Sequence, residues 1–443
     1  MKIPVDPPKL NDIVLEAAQA GNLMDLYIAG TSHAEVKGDY IHWDKLRHKT
    51  PPEGLTSRTW WAQIKLARQA LKRILPLRDK HGTSFSVSIT DRLQKSLHYI
   101  DRKAAGSIQG MESSGGATRF LIRSLIEESM TSSQLEGAAT TRVVAKEMLS
   151  TGRAPRDQSE RMIYNNYAAM SLIRERGKRP FTVEEILELH GVLTTGTLES
   201  EEHCGRLRTA EDNVLIFDKS TDVVLHTPPP AREVKERLEQ LCAFANRQDD
   251  EPFIHPVVRA IALHFQLGYD HPFCDGNGRT ARVLFYWSMM NSGYWLTEYL
   301  SISSVLRKSP GHYMRACLYT EHDDSDMTYF ISQQLGALEQ SITALHEYIK
   351  RKSEQNRHAR RVLRTSHVAG IDLNHRQKAL LANAINNPER EYTVATHRAA
   401  HQVTYPTALA DLSTLVDAGL LERQRVGRAY EYFPVPNLAD LLA

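Results

Sequence analysis

Cysteine is scarce in this sequence of 443 residues, and long apolar runs are missing. The four cysteines, at positions 204, 242, 274 and 317, show no CxxC spacing, which argues against a zinc ribbon and against a disulfide framework. No stretch approaches the roughly 20 apolar residues of a membrane-spanning helix. The first ten residues, MKIPVDPPKL, lack the apolar core of a signal peptide. We therefore expect a reduced, cytoplasmic protein with no membrane partner.

An excess of one charge is also missing. Lysine and arginine total 55 and aspartate and glutamate 53, so the formal net charge is +2. This balance argues against nucleic acid as the principal partner, although it is compatible with local basic patches. A hydrophobic content of 41% indicates a globular protein, and the length allows two or three domains.

Hydrophobic spacing divides the chain into four parts. Residues 1–116 are predicted to be mostly helical, with no role that the sequence assigns, and include an amphipathic helix from Ser57 to about Leu75. Residues 117–352 form a helical domain, 353–369 a charged connector and 370–443 a second compact unit. The helices predicted in the second part are 118–135, 141–149, 157–176, 183–194, 231–247, 255–270, 278–291, 302–319 and 327–352.

One segment of the helical domain has a β pattern. The stretch NVLIFDKSTDVVLHTPPP contains two short β-branched runs, Val214–Phe217 and Val223–Leu225, on either side of DKST. This arrangement predicts a hairpin over residues 213–226. The three prolines at 228–230 end the hairpin and lead into the next helix.

The last part, residues 370–443, predicts three helices followed by a hairpin at Val426-Gly427. This order is that of a winged helix-turn-helix domain. Basic residues near the second helix and the wing would suit DNA phosphates, namely Arg398, His401, Arg423, Arg425 and Arg428. The third helix, however, offers no basic residue, only Thr407, Asp411, Ser413 and Thr414. A DNA partner and a protein partner are therefore equal alternatives.

Chemistry concentrates in the segment HPFCDGNGRTAR, from His271 to Arg282. His271 follows a predicted helix, and Gly276-Asn277-Gly278 opens the next one. A glycine-rich loop at a helix start directs several free N–H groups toward one point, and the helix dipole adds roughly half a positive charge there. The segment therefore predicts an anion site, and phosphate is the anion that it suits best.

The charged residues of the segment agree with a polyphosphate. Arg279 and Arg282 lie three residues apart, so both guanidinium groups reach from one helix face. Phosphate would repel Asp275 unless a cation lay between them, and Mg²⁺ takes one carboxylate together with phosphate oxygens. His271 would then accept a proton from an attacking hydroxyl. A plain interhelical turn with solvated arginines is the simpler alternative.

The segment resembles the Fic family signature, HPFx[D/E]GNGRxxR, at every specified position. The preceding IHPVVRAIALHFQLGYD, the GRLR at 205–208 and the hairpin followed by prolines occur in the family's order, so the resemblance spans roughly residues 118–352. It implies a mainly α fold, a Fic-type helical bundle with a small β-hairpin flap, to which this chain adds the predicted winged helix-turn-helix domain.

The resemblance also implies an activity. Fic enzymes mostly transfer AMP from ATP to a Tyr, Ser or Thr hydroxyl of a target protein and release pyrophosphate. His271 would be the general base, and Asp275 would hold Mg²⁺ against the α- and β-phosphates. Arg282 would bind the γ-phosphate. The remaining phosphate contacts would come from Gly276, Asn277, Gly278 and Arg279.

Three neighbouring features are interpreted through the same resemblance. The hairpin at 213–226 would be the flap on which an extended target segment docks by strand addition. Phe273 is expected to be an apolar anchor of the loop. Cys274, at the variable position of the signature, is assigned no role.

An inhibitory motif precedes the signature. In TSSQLEGAAT, Ser132, Glu136 and Gly137 fit the family pattern [S/T]xxxE[G/N], and their position is that of the self-inhibited class. The resemblance implies that Glu136 pairs with Arg282 and removes it from the γ-phosphate. The equivalent glutamate of some relatives positions a water for removal of AMP, so self-modification and the reverse reaction stay open.

Two further functions stay open. One is a DNA-binding regulator whose Fic core senses nucleotide, and the other is a Fic transferase that uses UTP or CDP-choline. His190 and His264 are expected to be core histidines, because no HExxH or suitably spaced carboxylate supports zinc. The sequence names no target protein, and a homodimer is one of the oligomeric states that it allows.

Overall fold

The computed structural model describes residues 1–21, 23–28, 33–105, 116–218, 221–247, 252–365, 373–426 and 429–442. The chain forms two compact units, Met1–Ala344 and Leu345–Ala443. The predicted boundary at 116/117 falls inside the first unit. Residues 353–365 of the predicted connector are helical, and the rest of it lies outside the described residues.

The described part of the chain is mainly helical. Its α-helices are α1 (Leu10–Gln19), α2 (Leu23–Ile28), α3 (Trp43–Leu46), α4 (Ser57–Leu71), α5 (Asp91–Ile100), α6 (Gly116–Leu135), α7 (Arg142–Thr151), α8 (Gln158–Arg176), α9 (Val183–Thr194), α10 (Val234–Ala245), α11 (Pro256–Asp270), α12 (Asn277–Asn291), α13 (Ile302–Leu306), α14 (Pro310–His322), α15 (Thr328–Thr365), α16 (His375–Asn386), α17 (Val394–His401), α18 (Tyr405–Asp417) and α19 (Leu438–Leu441). Short 3₁₀ segments are Glu201–His203, Ala210–Asp212, Ala231–Glu233 and Trp295–Tyr299, and Asp101–Ala105 is a π-helical turn.

The strands form three antiparallel pairs. They are β1 (Lys72–Arg78) with β2 (Ser84–Ser88), β3 (Ile216–Phe217) with β4 (Val224–His226), and β5 (Leu421–Val426) with β6 (Ala429–Pro434). The mainly α fold class is therefore confirmed. None of the helices in the described ranges has both the length and the hydropathy of a membrane span.

Helices α11 and α12 form the centre of the first unit. Both are buried around most of their circumference, because apolar residues occupy every side rather than one stripe. They pack against each other, and α6, α8, α9 and α10 pack around them. The loop between these two helices contains the segment predicted to bind phosphate, so two buried, mutually packed helices support it.

The helix predicted at 327–352 continues to Thr365 as α15, and two further predicted helices differ from the structure. The helix from Ser57 ends at Leu71 rather than Leu75, because the chain continues as β1, which pairs with β2. Pro76 lacks an N–H and cannot extend a helix, and the β1–β2 register is broken around it. The helix predicted at 302–319 is two helices, α13 and α14, because Pro310 begins a new helix at its first position.

The predicted hairpin at 213–226 is present as β3 and β4. Ile216 pairs with His226 and Phe217 with Val224. The strands are shorter than the β-branched runs suggested. Residues 219 and 220, in the predicted turn, lie outside the described residues.

The second unit contains α16, α17, α18 and the β5–β6 hairpin around its own apolar core. This is the predicted element order, while the winged helix-turn-helix assignment stays a prediction. Asp411, on the third helix of this unit, cannot contact a binding partner. It is buried and accepts hydrogen bonds from Asn374, Arg376 and His397. Gly427 and Arg428, in the predicted wing, lie outside the described residues.

Candidate active site

The loop between α11 and α12 is fixed at both ends by left-handed backbone. His271 ends α11 with φ of 45°, and its N–H donates to the Leu267 carbonyl at 3.0 Å. Gly276 precedes α12 with φ of 82°. A Cβ atom at Gly276 would also lie 2.6 Å from Thr194 Cγ2, so only glycine fits there.

His271 has the protonation pattern of a base. Its Nδ1 donates to the Gly268 carbonyl at 3.0 Å, and the tautomer protonated at Nδ1 has its lone pair on Nε2. Burial lowers the pKa of His271 to about 4. The imidazole is therefore neutral at pH 7 and can accept a proton without first losing one.

Asn277 and Phe273 stabilise the middle of the loop. The Asn277 side chain accepts from the Phe273 N–H at 3.0 Å and donates to the Phe273 carbonyl at 2.8 Å. Its amide therefore positions the loop, and only its backbone N–H is left for the expected phosphate contact. Phe273 is fully buried and stacks on His190 with a centroid distance of 3.7 Å, which agrees with an apolar anchor.

Two residues that the sequence did not single out for the site support the same loop. His190 donates from Nε2 to the Asp275 carbonyl at 2.9 Å and accepts from the Gly205 N–H at 3.0 Å. Arg208 donates from Nε to the His271 carbonyl at 2.7 Å. His190 is a buried histidine as predicted, and its hydrogen bonds position the loop that contains His271. The GRLR segment at 205–208 was the signal that could have revealed this support.

Arg279 lies beneath the loop with spare hydrogen-bond donors. It is fully buried, and Nη1 donates to the Leu193 carbonyl at 2.9 Å. Its Nε and Nη2 have no hydrogen-bond partner among the described residues, and Nη2 is 3.7 Å from Asp275 Oδ2. Asp275 itself is exposed at the rim, where Oδ1 accepts from the Gly276 N–H at 2.6 Å. Both arginines of the segment are buried, so the alternative with solvated arginines is wrong.

Arg282 is held by the segment that contains the predicted inhibitory motif. Its Nε donates to Ser132 Oγ at 2.8 Å, and its Nη2 donates to Glu136 Oε1 at 2.7 Å. Glu136 follows the end of α6, and Gly137 turns the chain away with φ of 109°. Burial opposes ionisation, but the charge and hydrogen bond of Arg282, together with the charge of Arg279, outweigh it and lower the pKa of Glu136. The structure therefore brings Ser132 and Glu136 to Arg282, and Glu136 and Arg282 form an ion pair.

The Glu136 carboxylate also lies against the first turn of α12. A Cβ atom placed on Gly278 would collide with Glu136 Oε1 and would lie 3.1 Å from Arg282 Nη1. The carboxylate thus occupies the place where free N–H groups and the helix dipole favour an anion. One side chain covers both the helix N-terminus and the arginine.

These groups line one cavity of about 210 Å³. Glu136, His271, Gly278 and Arg282 contribute to its wall, and the hairpin contributes Ile216, Leu225 and His226. His264, also on the wall, is a buried core histidine as predicted, and burial lowers its pKa to about 3. His271, Arg282 and the hairpin therefore line the same cavity.

His226 attaches the hairpin to the helices behind it, and the sequence did not single it out. Its Nε2 donates to the Tyr269 carbonyl at 2.7 Å, and its Nδ1 is 2.7 Å from Glu321 Oε2. These two contacts join β4 to α11 and α14. The flap residues that line the cavity are thereby held in place over His271.

Parts of the chain are similar to known proteins. Residues 180–289 match the Fic/DOC family. The protein adenylyltransferase fic-1 of Caenorhabditis elegans is 25% identical over 244 residues, which are 54% of this chain and 41% of that protein. The protein adenylyltransferase Fic of Nematostella vectensis is 30% identical over 128 residues, 29% of this chain and 27% of that protein. The chain thus spans less than half the length of these curated relatives.

A solved structure supports the fold. The crystal structure of a Fic family protein from Desulfovibrio desulfuricans G20 aligns with a TM-score of 0.50 and 20% identity, over 77% of this chain and 94% of that one. The family match covers the whole loop from His271 to Arg282, together with His190 and Arg208, which support it. The chain therefore contains a domain of the Fic/DOC family.

Proposed function

We propose that this chain is a self-inhibited protein adenylyltransferase, which transfers AMP from ATP to a Tyr, Ser or Thr hydroxyl of a target protein. The observation on which the proposal depends is the position of Glu136 on Arg282 and on the first turn of α12, beside a neutral His271. The names of the two curated relatives support the same chemistry.

His271 starts the reaction. Its Nε2 removes the proton of the target hydroxyl as the oxygen attacks the α-phosphorus of ATP. A new P–O bond forms to the target, the bond between the α-phosphorus and the bridging oxygen breaks, and pyrophosphate leaves with the electron pair. The left-handed backbone at His271 and the contact of Nδ1 with Gly268 fix the ring for this step.

The phosphates are held by α12 and its arginines. The free N–H groups at the start of α12, the spare donors of Arg279 and the guanidinium of Arg282 provide positive potential at one place. Gly278 has no side chain, so phosphate oxygens approach the backbone closely. Positioning and electrostatics supply most of the rate in such transfers.

Asp275 fits the role of a Mg²⁺ ligand. It is an exposed carboxylate at the rim of the phosphate site, and Mg²⁺ uses one carboxylate plus phosphate oxygens and water. The ion would neutralise phosphate charge that Asp275 otherwise repels. Asp275 keeps its orientation through the Gly276 N–H.

Glu136 inhibits the reaction because its carboxylate competes with the γ-phosphate of ATP for Arg282. An ionised Glu136 repels a γ-phosphate and holds the donor that the phosphate needs. ATP then binds with its α-phosphate misaligned. Loss of Glu136 removes the carboxylate from Arg282, whose bonds to Ser132 remain, and self-modification follows where the chain's own hydroxyl groups reach the site.

The flap offers an edge for the target segment. Phe217 and Val224 form a β pair, yet Phe217 is 48% exposed and Val224 38% exposed. An extended segment of the target that pairs with this edge would bring a hydroxyl toward His271.

ATP as donor and the four free cysteines are in keeping with a cytoplasmic protein.

The test uses the Glu136→Gly chain with ATP labelled at either the α- or the γ-phosphate. We expect protein-bound label from α-labelled ATP and none from γ-labelled ATP. Radiolabelled UTP and radiolabelled CDP-choline should also leave no label on the protein. Label from the γ position would indicate phosphoryl transfer, and label from UTP or CDP-choline another donor. Either result would replace the proposed reaction.

A further inference from the structure

A second group of metal-ligand side chains lies beside the catalytic loop. His203 ends one 3₁₀ segment, Asp212 ends the next, and Cys274 belongs to the loop itself. One ligand atom from each residue lies within 4.8 Å of the other two, and His203 Nε2 is 3.5 Å from Asp212 Oδ1. All three side chains are partly exposed, so an ion can enter from solvent.

The chemistry of this group selects one kind of ion. A thiolate, an imidazole and a carboxylate are ligands that Zn²⁺ takes, whereas Mg²⁺ prefers oxygen alone. Tetrahedral bonds of about 2.0–2.3 Å separate neighbouring ligand atoms by roughly 3.3–3.7 Å. The widest pair must therefore close by at most about 1.5 Å, which rotation of the partly exposed Cys274 and His203 side chains can supply.

Hydrogen bonds from neighbouring groups already orient the carboxylate of this group. Asp212 Oδ2 accepts from the Thr209 N–H at 2.6 Å and from Thr209 Oγ1 at 3.0 Å. Arg206 donates to both carboxylate oxygens at 3.3 Å, and Oδ1 is the oxygen that faces His203. Outer hydrogen bonds of this kind hold the ligating carboxylate of a metal site.

Arg206 pairs with Asp212, and the charge of Arg208 also reaches Cys274. Arg206 has other acceptors as well. It donates to the carbonyls of Glu202 at 3.2 Å and Leu207 at 3.0 Å. Its side chain is partly exposed, so water screens its charge. Arg206 therefore keeps hydrogen-bond partners when Asp212 Oδ1 turns toward an ion.

We propose that His203, Asp212 and Cys274 bind a zinc-type divalent ion, with water as the fourth ligand. Binding forms one bond each to sulfur, nitrogen and oxygen, and the thiol proton passes to solvent, with no change of oxidation state. The ion links the catalytic loop to the segment that leads into the flap. This site is independent of the proposed AMP transfer, because it requires neither ATP nor Arg282.

The test titrates the metal-stripped full chain with Co²⁺, whose thiolate charge-transfer absorption reports a Co–S bond. We expect one Co²⁺ per chain with this band, and Zn²⁺ should displace it. Cys274→Ser removes the band, and His203→Gln weakens Co²⁺ binding by about tenfold or more. Cys204→Ser is the matched control, because Cys204 is a partly exposed free thiol beside His203 and outside the group. It should keep the band.

Thermal unfolding provides a second readout and checks that each variant folds. Zn²⁺ should raise the Tm of the wild type and of Cys204→Ser, and leave the Tm of a folded Cys274→Ser unchanged. Asp275→Asn should also keep the Co²⁺ band, because Asp275 belongs to the phosphate site. A band that survives in Cys274→Ser, a band lost in Cys204→Ser, or no band in the wild type at excess Co²⁺ would overturn the proposal.

Discussion

Glu136 Oε1 lies 2.7 Å from Arg282 Nη2, and the same oxygen occupies the space that a side chain on Gly278 would need. A single carboxylate therefore covers a guanidinium and the start of a helix at the same time. Both are groups that a phosphate requires. Inhibition in this account is direct competition between one protein anion and one nucleotide anion.

The contact between Glu136 and Gly278 predicts an unusual coupling of two substitutions. Gly278→Ala should destabilise the chain by about 1–3 kcal/mol, because the added methyl group collides with Glu136. In the Glu136→Gly chain the collision with Glu136 is gone, and only the Arg282 guanidinium, 3.1 Å from the added carbon, has to shift slightly. The same substitution should then be neutral or stabilise by up to about 1 kcal/mol, since alanine favours helix over glycine. Urea unfolding of the four proteins measures the coupling, and additive effects would contradict the contact.

Charge and volume at position 136 can be separated. Glu136→Gln keeps the size of the side chain but removes the charge that pairs with Arg282 and repels phosphate. We expect self-labelling by α-labelled ATP to increase in the order wild type, Glu136→Gln, Glu136→Gly. Initial rates at a fixed ATP concentration check the order. A glutamine variant as slow as wild type would mean that bulk, not charge, blocks the site.

His190 is predicted to act as a positioning residue. Its hydrogen bond to the Asp275 carbonyl and its stacking on Phe273 fix the loop that contains His271. In the Glu136→Gly background, His190→Ala should lower the maximal labelling rate by about 10- to 100-fold and change the half-saturating ATP concentration much less. His42→Gln is the control, because His42 is buried outside this site. An equal loss in both variants would indicate general destabilisation.

The same buried histidine, His42, predicts a pH dependence of stability. Burial lowers the pKa of His42 from 6.5 to about 4, so below pH 6.5 the unfolded chain binds a proton that the folded chain does not. Its contribution is present above pH 6.5 and is lost as the pH falls toward 4. Between pH 7 and pH 5 the wild type should lose about 2 kcal/mol more unfolding free energy than His42→Gln. Urea unfolding at the two pH values tests this, and equal losses would contradict it.

Helical periodicity predicted most of the fold. The bounds of α8, α9, α11 and α12 follow from apolar residues three or four apart, and each lies within a residue of its prediction. The β1–β2 hairpin was missed, because β1 alternates only weakly and contains Pro76. Its pairing with β2 is a tertiary contact that local spacing does not encode.

The sequence predicted which residues form the site better than it predicted what each of them does. The sequence signature contains His271, Gly278 and Arg282, and the structure places all three around one cavity. Spacing could not show that the Asn277 side chain binds Phe273 rather than an anion. Nor could it show that His190 reaches a carbonyl 85 residues away, because such pairings depend on how helices pack.

The most direct test of the account compares the Glu136→Gly chain with Glu136→Gly/His271→Ala in α-labelled ATP and Mg²⁺. The account predicts strong self-labelling of the first protein and a loss of about 100-fold or more in the second, with ATP binding retained in both by equilibrium dialysis. Equal labelling would show that His271 is not the base. No label on the Glu136→Gly chain, with ATP bound, would contradict the proposed transfer itself.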